Sequence, residues 1–83
     1  MGRDRQDPAY KAAVGARVAG LRKSRGEAVG DAAASCAVTP GTWSNVEAGR
    51  SLPSVELILR ISEHYGITTD WLLKGGGDDA DQA

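Results

Sequence analysis

Residues 38–54, VTPGTWSNVEAGRSLPS, decide the fold. Thr39 before Pro40 is a helix-opening pair. A threonine hydroxyl can accept a hydrogen bond from a first-turn amide, and proline's fixed φ and missing N–H suit the first helical position. Gly49 is a stop signal, so a helix is expected from Pro40 to about Ala48. Trp43 and Val46, three apart, fall on one side of that helix, and Gly41, Ser44, Asn45 and Ala48 share the other. Pro53 and Ser54 open another helix after only a short loop.

The same signals recur outward from this stretch. Asp7-Pro8 opens a first helix in which Val14, Val18 and Leu21 recur at i, i+4 and i+7. It runs to about Lys23 and ends at Gly26. A second helix is expected from about Glu27 to Cys36; Gly30 argues against it, while Ala32, Ala33 and Ala34 favour it. Downstream, the fourth helix is expected to turn Val55, Ile58, Ile61 and Tyr65 to one side and to end at Gly66. Thr68 or Thr69 can cap a fifth through Trp71 and Leu72 to Lys74. No strand pattern is visible, so the class is all-α with five short helices. The expected organisation is an N-terminal arm over residues 1–7, a helical domain over 8–74 and an acidic, disordered tail over 75–83 with nothing to bury.

Eighty-three residues make one domain with a modest core. Trp43, Trp71, Tyr10 and Tyr65 are the only aromatics, so the core must rest on Val, Ile, Leu and many Ala. No run is long and apolar enough for a membrane helix, and no signal-peptide stretch opens the chain. Cys36 is the single cysteine, which excludes an internal disulfide and leaves no ligand set for a metal. The expected setting is a reducing cytoplasm. The net charge is −1, but it is unevenly spread. Residues 1–25 hold seven bases (Arg3, Arg5, Lys11, Arg17, Arg22, Lys23, Arg25) against Asp4 and Asp7, while the last nine residues hold three acids and no base. A basic N-terminal half leaves room for phosphate contacts; a solvated helix face is the competing explanation.

Two short helices joined by a tight turn, followed by two more, suggest a helix-turn-helix domain. Residues 38–54 resemble the third helix and following loop of the lambda-repressor-like (Xre/Cro) family, in which a small polar residue opens the helix and a Glu-x-Gly-Arg run and a Pro-Ser follow. LILRISEHYGITTDWLLKGGG, residues 57–77, is similar to the family's fourth and fifth helices, above all in phage repressors, and VAGLRKSRG, residues 18–26, to the end of its first helix. The second helix departs from the pattern. Val29 stands where a phosphate-gripping Gln is common, Ala28 where a small polar cap is common, and Ala37 where the turn usually has Gly. Ala37 must then take a left-handed conformation or shift the turn, at a cost of about 1 kcal/mol.

The resemblance implies a third helix lying in the major groove. Gly41, Ser44 and Asn45 would then face base edges, with Asn45 the best reader because its amide can pair bidentately with adenine. Thr39, Thr42, Arg50, Ser51 and Arg25 would contact phosphates, and Arg3 and Arg5 could form a minor-groove arm, a disordered terminus being the alternative. Arg22 and Glu47 would form a structural ion pair between the first and third helices, and breaking it from one side would cost about 3 kcal/mol if it is well buried. Cys36 would be a buried, inert thiol. Trp71, Leu72 and Leu73 would form a dimer seam, with Trp71 alternatively in the core of the monomer. His64 draws no role.

The implied function is a sequence-specific repressor of phage or prokaryotic type, a homodimer on a pseudo-palindromic operator in double-stranded DNA. The alternative is an interaction module of the same fold that binds another regulatory protein, as Pro40, Gly41, Val29 and the acidic balance suggest. No nucleophile–base pair, metal spacing or phosphate loop points to an enzyme, and no cofactor is implied.

Overall fold

The computed structural model describes residues 7–75. Five helices follow one another: α1 Pro8–Ser24, α2 Val29–Ser35, α3 Pro40–Glu47, α4 Val55–Tyr65 and α5 Thr69–Lys74. Among the described residues there is no strand. The helix starts follow from local chemistry. Asp7 Oδ1 accepts from the Ala9 amide at 2.7 Å, Thr39 Oγ1 from Thr42 at 3.1 Å, Ser54 Oγ from Leu57 at 3.1 Å and Thr68 Oγ1 from Trp71 at 2.9 Å. Each side chain satisfies an amide that the first turn leaves without a partner. The exception is α2, whose cap, Ala28, has no side chain to offer. It starts two residues later than expected, at Val29, because Glu27 and Ala28 lie in the connection that follows α1.

The core gathers Val18 of α1, Ala32, Ala33 and Cys36 from α2 and its end, Trp43 and Val46 of α3, Leu57, Ile61 and Tyr65 of α4, and Leu72 of α5. On α4 the expected apolar face is corrected. The buried stripe is Leu57, Ile61 and Tyr65 at i, i+4 and i+8, Ile58 packs at its edge, and Val55 is 75% exposed.

α1 and α3 cross without side chains between them. A Cβ on Gly15 would overlap the Val46 carbonyl oxygen and lie 2.8 Å from that of Glu47, and one on Gly49 would lie 3.0 Å from Ala12 Cα. The connection between α2 and α3 closes on Ala37, whose φ of 63° is the only positive value on a described non-glycine residue. Val38 N–H bonds the Ala33 carbonyl at 3.0 Å and Ala37 N–H that of Ala34 at 3.1 Å. This is a Schellman closure with alanine where glycine is favoured. The other four helices end on glycines of positive φ. α5 is held from α1: Tyr10 Oη donates to the Leu73 carbonyl at 2.9 Å and Arg17 Nη1 to that of Leu72 at 2.7 Å. Both bonds satisfy C-terminal carbonyls that α5 itself cannot.

Candidate nucleic-acid interface

The helix pair α2–α3 turns one apolar side to the core and leaves the outer side of α3 open. Trp43 and Val46 are buried, whereas Thr39, Pro40, Gly41, Thr42, Asn45 and Ala48 are exposed and Ser44 is half-buried. At helical spacing, Gly41, Ser44, Asn45 and Ala48 form one outward row. A Cβ on Gly41 would meet nothing closer than Thr39 Oγ1 at 3.9 Å, so backbone and open space occupy that point of the row. Thr39 and Thr42 are already bonded, hydroxyl to hydroxyl at 3.1 Å, in the exposed first turn.

Past the end of α3, Arg50 folds back. Its Nε donates to Asn45 Oδ1 at 2.9 Å, on an exposed surface. The terminal guanidinium nitrogens keep four further N–H donors, and the Asn45 amide nitrogen keeps both of its own. The two residues therefore stand as one polar unit at the edge of the outer row. Ser51, next in the chain, is exposed.

The row is held at its far end by Glu47. Arg22 grips its carboxylate with two bonds, Nε to Oε2 at 2.6 Å and Nη2 to Oε1 at 3.1 Å, and the indole N–H of buried Trp43 donates to Oε2 at 2.6 Å. Burial pushes the Glu47 carboxyl up. The bonds from Arg22 and Trp43, with the charges of Arg22 and Lys23, outweigh it and leave the pKa below the usual carboxylate range. The Arg22 guanidinium is held above its ordinary value, chiefly by its bonds to Glu47. A carboxylate that would repel phosphate is thus neutralised by its partner.

Charge elsewhere on this face is sparse. Between residues 28 and 51 the side chains charged at neutral pH are Asp31, Glu47 and Arg50, and Asp31 is exposed in the first turn of α2. Arg25 has its contacts on α4 rather than α3: its guanidinium lies 5.0 Å from the Tyr65 ring centre and donates to the His64 carbonyl at 3.2 Å. Lys23, exposed at the end of α1, adds a positive charge that helps lower the Glu47 pKa.

A second cluster went unread. Glu27 accepts from Tyr65 Oη on one carboxylate oxygen and bonds His64 Nε2 at 2.7 Å on the other, while Arg22 Nη1 donates to its carbonyl at 2.9 Å. The bond from Tyr65 is the main cause that holds the Glu27 carboxyl below its ordinary range against burial, with a further contribution from His64. His64, left without a role by its sequence context, helps clamp the α1–α2 connection onto the end of α4. A separation of 37 residues hides that pairing from any local pattern.

The three residues expected at a dimer seam do not stay together. Leu72 is fully buried in the monomer, which removes it from any surface seam. Trp71 packs on the core beside α1, and Leu73 is half-buried beside Tyr10 and Ile58. Arg3, Arg5 and most of the expected tail lie outside the described residues; Asp7 and Gly75 belong to the helices that they cap.

A family model described as a helix-turn-helix domain matches residues 13–72. No curated protein and no solved structure matches the chain.

Proposed function

The chain belongs to the helix-turn-helix domain family, a DNA-binding fold, and on that footing we propose that it is a sequence-specific transcription repressor acting as a homodimer on a pseudo-palindromic operator. The kinship suggested by its motifs is to lambda-repressor-like, Xre/Cro regulators of phage or prokaryotic type, working in the cytoplasm. The observation that carries the reading is the uncovered outer row of α3, Gly41, Ser44, Asn45 and Ala48, with the Arg50–Asn45 unit at its edge. Asn45 reads a base edge and Ser44 assists. The bare backbone at Gly41 allows close approach to the groove wall. Thr39, Thr42, Arg50, Ser51 and Lys23 hold phosphates and set the register. Repression follows from steric exclusion of polymerase, with half-sites about 34 Å apart on one face of the duplex.

Selection from random duplex DNA at two salt concentrations, with Asn45→Ala alongside, tests this. A single enriched inverted repeat that the variant no longer enriches is the expected outcome. Failure to enrich any sequence overturns it.

One observation favours a second reading, a module that binds another regulatory protein. The α2–α3 face carries Arg50 against Asp31, so its net attraction for phosphate is small. Under that reading only weak, sequence-independent DNA binding at low salt remains.

A further inference from the structure

Arg50 decides which way the Asn45 amide faces. An arginine Nε can only donate, so the Asn45 atom that meets it at 2.9 Å is the oxygen, Oδ1. That bond removes the two-fold freedom of an exposed amide, which can otherwise turn either its oxygen or its nitrogen to a partner. The Asn45 backbone carbonyl also takes the Arg50 N–H at 2.9 Å, so backbone and side chain hold the pair in register. Nδ2 keeps both hydrogens, and among the described residues nothing accepts from them.

The rest of the outer row adds little that could accept from a base. Pro40, Gly41 and Ala48 are exposed but have no polar side chain, and the Thr39 hydroxyl is engaged by the Thr42 hydroxyl and amide. The one carboxylate of α3, on Glu47, is held by Arg22 and Trp43. Ser44 is half-buried. The strongest polar groups left to face a groove are the Asn45 NH2 and the Arg50 guanidinium. Their open sites are donors, save the second lone pair of an oxygen already bonded to a cation.

We propose that this pair makes Asn45 a guanine reader, with Arg50 as the residue that positions it. Each half-site of the operator then carries a guanine whose O6 and N7 accept from Nδ2. Guanine is the base that shows two acceptors and no donor in the major groove. Adenine suits an unrestrained amide, which pairs with it bidentately. Here its N6 hydrogens would have to approach Oδ1 beside the guanidinium's own hydrogens. Thymine offers one acceptor and cytosine a donor. The inference rests on the operator reading above and names the base that its Asn45 contact selects.

Base analogues in the selected operator test the assignment. The position whose preference Asn45→Ala relaxes is the one in question, and guanine is expected there. Replacing that base with 7-deazaguanine, which lacks N7, weakens the wild type by about 10-fold per half-site and leaves Asn45→Ala unaffected. Inosine keeps O6 and N7 and binds as guanine does. Arg50→Ala frees the amide to turn over, so the preference for guanine over adenine at this position falls by about 10-fold, while preferences elsewhere in the operator hold. Asn45 and Arg50 are both exposed, so neither substitution opens the core. Another base at that position, or no position that Asn45→Ala relaxes, overturns the proposal and leaves the operator reading standing. A wild type indifferent to 7-deazaguanine does the same, and so does an Arg50→Ala protein that keeps the full preference for guanine. If the wild type enriches no sequence, the operator reading and the base assignment fall together.

Discussion

Arg50 is bonded twice to Asn45: its backbone N–H to the Asn45 carbonyl at 2.9 Å, and its Nε to Oδ1 at 2.9 Å. The first bond closes α3. The second aims the Asn45 amide and pins the guanidinium beside it. In the operator reading proposed above, an amide offered to a base edge and a cation offered to a phosphate are thereby oriented before DNA arrives, which lowers the ordering cost of binding.

Different changes to this unit have different signatures. On the operator reading, Asn45→Ala is expected to cost about 1–3 kcal/mol per half-site and to relax preference at one operator position. Arg50→Ala weakens binding to all sequences and reduces the slope of log affinity against log salt by about 1 per protomer. Affinity titrations across salt, against a matched and a mismatched duplex, separate the two. Loss of selectivity in Arg50→Ala without a change of slope would mean that its role is to orient Asn45 alone.

Acid should unfold this domain through Glu47 and Glu27. Both carboxyls are held below the ordinary value of 4.5 in the folded chain. The unfolded chain therefore takes up protons first as pH falls. The stability from these pairs is complete above about pH 5 and is lost progressively as pH drops through 4.5 toward the folded values. Glu47→Gln leaves Arg22 without its bonded counter-charge and weakens the acceptor for the buried Trp43 indole. With the pair still 14–15% exposed, the cost is about 2 kcal/mol at pH 7. Urea unfolding from pH 7 to pH 3 checks it: Glu47→Gln should lie below wild type at neutral pH and lose less on acidification.

How much of this was legible beforehand divides along the range of the interactions. Helix starts at Asp7, Thr39, Ser54 and Thr68 are signalled by residues within three positions of the amide that each one satisfies, so sequence suffices to place them. The inward pair Trp43 and Val46 follows from helical spacing alone. The late start of α2 was not legible, because Ala28 gives no signal and Glu27 is recruited by His64 and Tyr65 of a distant helix. The exposure of Val55 was hidden for a related reason. Helical periodicity shows that α4 is amphipathic, but the burial of one edge of its wide apolar arc depends on where α5 and the α3–α4 loop pack. Lys23 and Arg25 look equivalent in sequence, and only the folded packing seats Arg25 over the Tyr65 ring and against the His64 carbonyl.

The α1–α3 crossing leaves no room for a methyl group. Gly15→Ala would press Cβ against the Val46 and Glu47 carbonyl oxygens, which are backbone atoms in a helix that cannot yield cheaply. The expected cost is about 2–3 kcal/mol, the upper range for overpacking. Because the strain falls beside Glu47, Gly15→Ala should also shift the outer row of α3 and weaken DNA binding beyond its effect on stability. A chemical denaturation series gives the first quantity, and DNA affinity measured where the variant is fully folded gives the second. Unchanged stability would mean that α1 and α3 stand further apart.

Ala37 offers the opposite sign. It closes α2 in the left-handed region at φ 63°, where an alanine Cβ crowds its own backbone by about 1–2 kcal/mol. Ala37→Gly relieves that crowding and makes the unfolded chain more flexible, which returns about 0.5–1 kcal/mol of the gain. The net expectation is a stabilisation of about 0.5–1 kcal/mol, or a rise in Tm of about 2–8 °C for a domain this small. Ala37 is exposed and in the turn between α2 and α3, so the substitution removes no core contact. Differential scanning calorimetry of the two proteins decides it. A fall in Tm would show that the flexibility added to the unfolded chain outweighs the relief of strain at this turn.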